Sequence, residues 1–263
     1  MTTLSHAMTD SATMFRRSLR HIVRYPSMTA MLVGMPVVFL LLFVYVFGGT
    51  LGAGLGGASA GRAGYTDYVV PGILLMTVAG AAQGTAIGVA MDLTTGIIAR
   101  FRTMAISRAS VLTGHVLGSM VQTMGGIVVV LGVSFAVGFR PTAGPADWLA
   151  AIAVLVLFTL ALTWLSVALG LVSKSVESAS NLPMFLMLLP FLGSGFVPTA
   201  SMPAGLRWFA EYQPYTPVIE TLRGLLFGGR VGATAVIAVA WCAGITLVSY
   251  VWAKKRFDRR PLP

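Results

Sequence analysis

The chain alternates between long apolar segments and short segments that contain most of its charged residues. A helix needs roughly 20 apolar residues to cross the hydrocarbon of a bilayer. Five segments without Asp, Glu, Lys or Arg reach that length, and a shorter one contains two prolines that would kink a helix. The pattern predicts six transmembrane helices, at residues 28–47, 69–91, 111–139, 148–172, 182–197 and 231–253.

The positions of Lys and Arg predict the orientation of these helices. With both termini on the cytoplasmic side, the inner segments hold thirteen of these residues and the outer segments hold five. Loops rich in Lys and Arg stay in the cytoplasm. We therefore predict a cytoplasmic N-terminus of residues 1–27, a transmembrane domain of residues 28–253 and a basic cytoplasmic tail of residues 254–263.

The inner segment after the second apolar run is amphipathic. Drawn as a helix from residue 96, it separates an apolar side from a basic side and flank. Its apolar residues are Ile97, Ile98, Phe101, Met104 and Ala105, and its basic residues are Arg100 and Arg102. Such a helix lies on lipid headgroups or docks into another protein. Because the chain lacks a P-loop and cannot bind ATP through one, we interpret this helix as the docking element for a separate ATPase.

A second amphipathic helix is predicted at residues 14–25, before the first span. Arginines on one arc and apolar residues on the other predict an interfacial anchor that meets anionic headgroups. The residues of this anchor are Phe15, Arg16, Arg17, Leu19, Arg20, Ile22 and Arg24.

Composition supports a membrane protein and excludes several other classes. The chain is 56% hydrophobic and 10% charged, whereas soluble domains carry about 25% charged residues. Its net charge of +10 lies between apolar segments rather than along one basic face, so nucleic acid is not the expected partner. The single cysteine excludes an internal disulfide, and the three histidines are too dispersed to suggest a metal site.

Polar residues deep in the predicted spans are few. No span contains Asp, Glu, Lys or Arg, which argues against an ion-coupled secondary transporter. Gln83 and Gln122 are the notable polar side chains, and each is compatible with an interhelical hydrogen bond or a substrate contact. None of the catalytic patterns that we checked is present, which also disfavours a membrane-embedded enzyme.

The outer segment at residues 202–229 is amphipathic, rich in aromatic residues and interrupted by prolines. It predicts two short helices that dip into the outer leaflet. Glu220 and Arg223, spaced i, i+3, are expected to pair there. Together with Glu211 they are predicted to form an outer gate. A gate is preferred to a catalytic acid–base pair, because no nucleophile or metal site accompanies the two acids.

Three segments resemble the type-2 ABC transporter permeases, most closely the daunorubicin-resistance kind. They are the amphipathic run at residues 92–108 followed by Gly114, the sequence FLGSGFVP at 191–198 and the sequence FAEYQPYTPVIETLRG at 209–224. The sequence RYPS at 24–27 fits as well. Ala105 stands where this family is expected to have a proline, which affects where the amphipathic helix ends.

The resemblance implies an all-α polytopic membrane protein with an interfacial helix, a coupling helix between spans two and three, and re-entrant outer helices before span six. It implies two cytoplasmic ATPase subunits, which bind ATP and Mg²⁺, and a second permease subunit, identical or homologous. The chain itself is expected to hold no cofactor and to catalyse no reaction, and export of a hydrophobic or amphipathic substrate from a bacterial cell is the expected function. The predicted substrate path comprises Phe39, Phe43, Gln83, Met184 and Met187.

Two other functions stay open on the sequence alone. One is a self-sufficient secondary transporter, and the other is an inactive structural half of a heterodimeric exporter.

Overall fold

The computed structural model describes residues 26–55, 61–95, 108–173, 175–229 and 231–259. The predicted interfacial anchor and all the residues of the predicted coupling helix, which begins at residue 96, lie outside these ranges. Within them the chain is helical, with no strand. The helices are α1 (Pro26–Leu41), α2 (Gly48–Leu55), α3 (Arg62–Thr94), α4 (Arg108–Val137), α5 (Pro145–Val172), α6 (Val176–Leu188), α7 (Ala204–Tyr212), α8 (Tyr215–Phe227) and α9 (Gly232–Arg259). A π-helical segment, Leu42–Phe47, joins α1 to α2 without a break.

Five helices in the described ranges are long and apolar enough to cross a membrane: Leu32–Leu55, Arg62–Thr94, Thr113–Val137, Pro145–Val172 and Gly232–Phe257. Each contains most of one predicted span, so the multi-pass, all-helical character of the chain is confirmed. The first helix continues to residue 55, beyond its predicted end at 47, and the second begins at 62 rather than 69.

The predicted fifth span differs most from the structure. Residues 182–197 are helical only to Leu188, after which the chain turns repeatedly through residues 189–197. We call this turning segment the crook. Pro190 has no N–H for a helical hydrogen bond, and the glycines at 193 and 195 favour tight turns over a helix. Hydropathy alone does not show this, because no charged residue interrupts the run.

The ends of the helices follow local sequence signals. Pro145 occupies the first turn of α5, where a missing N–H costs nothing, and the Asp147 carboxylate accepts a hydrogen bond from the Gly144 N–H at 3.2 Å. The Ser175 hydroxyl caps α6 by accepting from the Ser178 N–H at 3.2 Å. A hydrogen bond from Ser175 also lowers the pKa of Glu177, so the carboxylate stays charged near the positive end of the α6 dipole.

Helix α3 lies at the centre of the bundle. It packs against α1, α2, α4, α5, α6 and α8, and it is buried along most of its length, whereas α9 is mostly exposed. One large apolar cluster surrounds the outer and middle parts of α3. A smaller inner cluster joins α3, α4, α5 and α9 through residues that include Val89, Val116, Trp164, Leu171 and Phe257.

Helices α3 and α5 approach closely at a glycine. A Cβ added to Gly170 would stand 2.7 Å from the Ala86 carbonyl oxygen and 3.0 Å from the Val89 Cβ. Real Cβ atoms do not make the first of these contacts, so only glycine allows the two helices to meet at this distance.

We expect Gly170→Ala to lower the unfolding free energy in detergent by about 1–3 kcal/mol, because the added methyl group forces α5 away from α3. The matched control is Gly84→Ala, since a Cβ at this exposed glycine would meet nothing within 4 Å. The measurement is the thermal denaturation midpoint of each purified variant. Equal midpoints for the two variants would contradict this packing.

Candidate functional site

The predicted gate residues Glu220 and Arg223 lie one turn apart on α8 and form an ion pair. The Arg223 Nη1 stands 2.6 Å from the Glu220 Oε1. The Arg223 side chain is only 16% exposed, whereas that of Glu220 is 40% exposed. The pairing expected from the i, i+3 spacing is therefore present, with the charge of Arg223 directed into the protein.

Arg223 also connects α8 to two other parts of the fold. Its Nη2 donates to the carbonyl oxygens of Tyr68, at 2.9 Å, and Ser194, at 3.0 Å. The guanidinium carbon lies 3.8 Å from the centroid of the Tyr68 ring, which adds a cation–π contact. One arginine thus holds together α3, α8 and the crook.

Two further side chains, one between α7 and α8 and one in α8, form hydrogen bonds with the crook. The amide nitrogen of Gln213 donates to the Leu189 carbonyl oxygen at 2.8 Å. The hydroxyl of Thr216 accepts from the Ser194 N–H at 3.3 Å. The resemblance rested on the runs at 191–198 and 209–224, and these contacts bring the two runs together in space.

The outer part of α3 contacts the crook directly. The Tyr65 hydroxyl donates to the Phe196 carbonyl oxygen at 3.1 Å. A Cβ added to Gly72 would stand 2.6 Å from the Gly195 carbonyl oxygen. Small residues on both sides therefore let the crook backbone lie against α3.

Phe39 and Phe43 of the predicted substrate path pack against the crook. Phe43 lies 4.5 Å from Phe196 and Phe39 lies 5.7 Å from Phe191, measured between ring centroids. Phe191 and Phe196 stack on each other at 4.3 Å. In this conformation the two phenylalanines join the first helix to the crook.

The other three residues of the predicted path lie on α3 and α6. Gln83 donates from its side-chain nitrogen to the Ser180 carbonyl oxygen at 2.9 Å, which is an interhelical hydrogen bond between α3 and α6. Met187 packs against the large apolar cluster, as Phe39 and Phe43 do, whereas Met184 is 48% exposed. Three of the five residues therefore share one cluster in this chain, and Gln83 and Met184 are placed apart from it.

Glu211 is separate from the Glu220–Arg223 pair. It lies on α7, where it forms an exposed ion pair with Arg207 at 2.8 Å. An open cavity of about 360 Å³ is lined instead by Glu220, Arg223, Gly224, Phe227, Gly229 and Thr234. Of the three predicted gate residues, only Glu220 and Arg223 share a site.

The end of the bundle that the Lys and Arg distribution predicts to face the cytoplasm, called its inner end here, holds a polar contact that the sequence analysis missed. The Nε2 of His115 on α4 lies 3.0 Å from the Oδ2 of Asp92 on α3. The two residues are 23 positions apart, and the only available signal was that both lie at the inner ends of consecutive antiparallel spans. No group of three or more His, Cys, Asp or Glu residues that could hold a metal ion occurs in the described part of the chain.

Comparison with known proteins identifies the family. Residues 10–227 match the family model described as ABC-2 type transporter. The chain belongs to the ABC-2 type transporter family. It is 25% identical, over 223 residues, to a daunorubicin resistance ABC transporter permease protein, DrrB1, of Streptomyces coeruleorubidus. That alignment covers 84% of this chain and 76% of the relative.

A second relative is a probable doxorubicin resistance ABC transporter permease protein, DrrC, of Mycobacterium tuberculosis. It is 27% identical over 183 residues, which cover 70% of this chain and 66% of the relative. Family, relatives and apolar helices together establish a multi-pass permease of the ABC transporter class.

We expect Arg223→Ala to destabilise the protein by about 2–4 kcal/mol, because it leaves Glu220 without its partner and the Ser194 carbonyl without its Arg223 donor, and also removes the contacts with Tyr68. The control is Arg207→Ala, which removes an exposed i, i+4 pair and should change stability by about 0.5 kcal/mol or less. Thermal denaturation in detergent compares the two variants. A smaller effect at Arg223 than at Arg207 would refute the role assigned to Arg223.

Proposed function

We propose that this chain is the membrane-spanning subunit of an ATP-driven exporter of hydrophobic or amphipathic molecules. The observation that carries the proposal is the family match over residues 10–227, and the names of the relatives support drug export. In this proposal the chain lies in the bacterial plasma membrane with both termini in the cytoplasm. It acts with a second permease subunit and with cytoplasmic ATPase subunits that bind ATP and Mg²⁺.

The energy enters through the segment between α3 and α4. We place the apolar side of residues 97–105 in a groove of the ATPase, with the arginines at 100 and 102 paired to acidic groups at its rim. Closure of the ATPase around ATP moves this segment and the helices attached to it. The exposed apolar surfaces of the chain suit a bilayer and a second membrane subunit.

The outer gate in this proposal consists of Glu220, Arg223 and the crook. Opening separates α8 from α3 and breaks the contacts of Arg223 with Tyr68 and Ser194. Phe39 and Phe43 lie beside the crook, so opening exposes their rings to the passing substrate. Aromatic surfaces accommodate bulky apolar molecules of different shapes. Gln83, Met184 and Met187 are retained as weaker candidates for the path.

We expect Phe101→Asp to remove the ATPase from the purified chain, because it places a charge on the docking side of the helix. The tagged chain is isolated in mild detergent and its co-purifying proteins are identified by mass spectrometry. Phe101→Leu, which keeps the side apolar, should retain the ATPase. Normal ATPase binding and transport by an inserted Phe101→Asp protein would refute the docking hypothesis. A wild-type chain that purifies alone and still moves doxorubicin would favour a secondary transporter.

We expect Glu220→Gln to lower ATP-driven doxorubicin transport in vesicles at least threefold, because Arg223 loses the charge that holds it. Glu211→Gln should stay within twofold of wild type, since its partner is the exposed Arg207. If the two substitutions have equal effects, the gate is not organised around Arg223.

A further inference from the structure

The inner ends of α3 and α4 are joined by a contact between the side chains of Asp92 and His115. Both side chains are mostly buried, with 16% of Asp92 and 24% of His115 exposed. A carboxylate in the last turn of a helix faces the negative end of the helix dipole, which disfavours it there. Its position on α3 is therefore best explained by a partner outside that helix, and His115 provides one.

Two more features link the same helices closer to the middle of the membrane. Val89 of α3 and Val116 of α4 belong to the same inner apolar cluster. The Thr85 and Ser119 hydroxyls are hydrogen-bonded to each other. A polar contact, a shared apolar cluster and a hydrogen bond therefore follow one another along the same pair of helices.

The end of α3 is also well defined. The Thr94 and Thr95 hydroxyls both donate to the Met91 carbonyl oxygen, at 3.0 and 2.8 Å, and the Thr95 N–H donates to it at 3.0 Å. The Thr95 N–H makes the last regular helical bond of α3, and the two hydroxyls add to it at the same carbonyl oxygen. The helix thus keeps its form up to the residue before the proposed docking segment.

We propose that Asp92 and His115 are positioning residues that make the inner ends of α3 and α4 a single moving unit. The inference rests on the proposed function, in which the ATPase acts on the segment between these helices. A displacement of that segment moves both helices together only if their ends are fixed to each other. Without the Asp92–His115 contact, the ATPase shifts the segment while α3 stays in place, and hydrolysis continues without transport.

Helix α3 connects this moving unit to the proposed outer gate. It is a 33-residue helix that begins at Arg62 and ends at Thr94. Its outer part carries Tyr68 and Gly72, which contact Arg223 and the crook. A movement of its inner end is therefore transmitted along one continuous helix to the gate contacts.

The test uses the chain in complex with its co-purifying ATPase, reconstituted in liposomes, with doxorubicin as the transported probe. We expect Asp92→Ala and His115→Ala to retain the bound ATPase and to lower doxorubicin moved per ATP hydrolysed about tenfold. The double variant should be no worse than either single one, because both remove the same contact. His115→Gln, which keeps an N–H near the position of Nε2, should recover to within threefold of wild type.

Three results overturn the proposal. The first is a wild-type ratio of transport to hydrolysis in Asp92→Ala and His115→Ala. The second is a His115→Gln variant as impaired as His115→Ala, which would indicate a role for the ring other than the hydrogen bond. The third is loss of the ATPase from these variants, because the pair would then act in docking rather than in transmission.

An engineered disulfide between α3 and α4 tests directly whether the two helices move together. In a Cys242→Ala background, Thr85→Cys and Ser119→Cys place two thiols where the two hydroxyls now meet. Transport that survives oxidation supports joint movement of α3 and α4, and transport that stops on oxidation and returns on reduction overturns it. If the wild-type chain moves doxorubicin with no ATPase bound, the proposed function fails, and the disulfide still decides whether the helices move together.

Discussion

Buried peptide groups need hydrogen-bond partners, and this requirement explains the outer half of the molecule. The crook leaves the helical conformation between apolar helices, so its carbonyl groups lose their helical donors. Three side chains supply donors instead: Gln213 to Leu189, Arg223 to Ser194 and Tyr65 to Phe196. The donors come from α3, α8 and the junction of α7 and α8, so the crook fixes the relative positions of these elements.

The same requirement gives Arg223 a structural role, which is to supply hydrogen-bond donors between helices. Its Nη groups are occupied by Glu220 and by two backbone carbonyls. An arginine placed to bind an anionic substrate would keep such donors available. The arrangement therefore favours a role for Arg223 as a contact between helices that can be broken and remade. It does not favour a role in which Arg223 recognises a charge on the substrate.

The sequence predicted the features that depend on local pattern and missed those that depend on distant contacts. Long apolar runs predicted five of the membrane helices, and the i, i+3 spacing predicted the Glu220–Arg223 pair. The crook looked like a span because hydropathy registers only the absence of charge between residues 178 and 206. Pro190 and the glycines after it were the available signal of a break.

Contacts between side chains of different helices cannot be predicted from the spacing of residues along one helix. Asp92 and His115 meet only because consecutive spans run antiparallel, and their exact register depends on packing between Val89, Val116 and their neighbours. Gln83 illustrates the same limit, since its polarity allowed a substrate contact or an interhelical bond, and the structure shows the bond to Ser180. The predicted substrate path stays a prediction for a related reason, because aromatic and methionine side chains suit helix packing as well as ligand binding.

The energies involved favour two states for the proposed outer gate. Each buried polar group left without a partner costs about 1–3 kcal/mol, so separating α8 from α3 without replacement partners costs several kcal/mol in all. Water that enters from the outer side can supply those partners and reduce the cost. In the proposed function the gate then stays closed while it is dry and becomes easier to open once α3 has moved enough to admit water. In that proposal, movement of α3 at its inner end and hydration of Arg223 at its outer end are two parts of one transition.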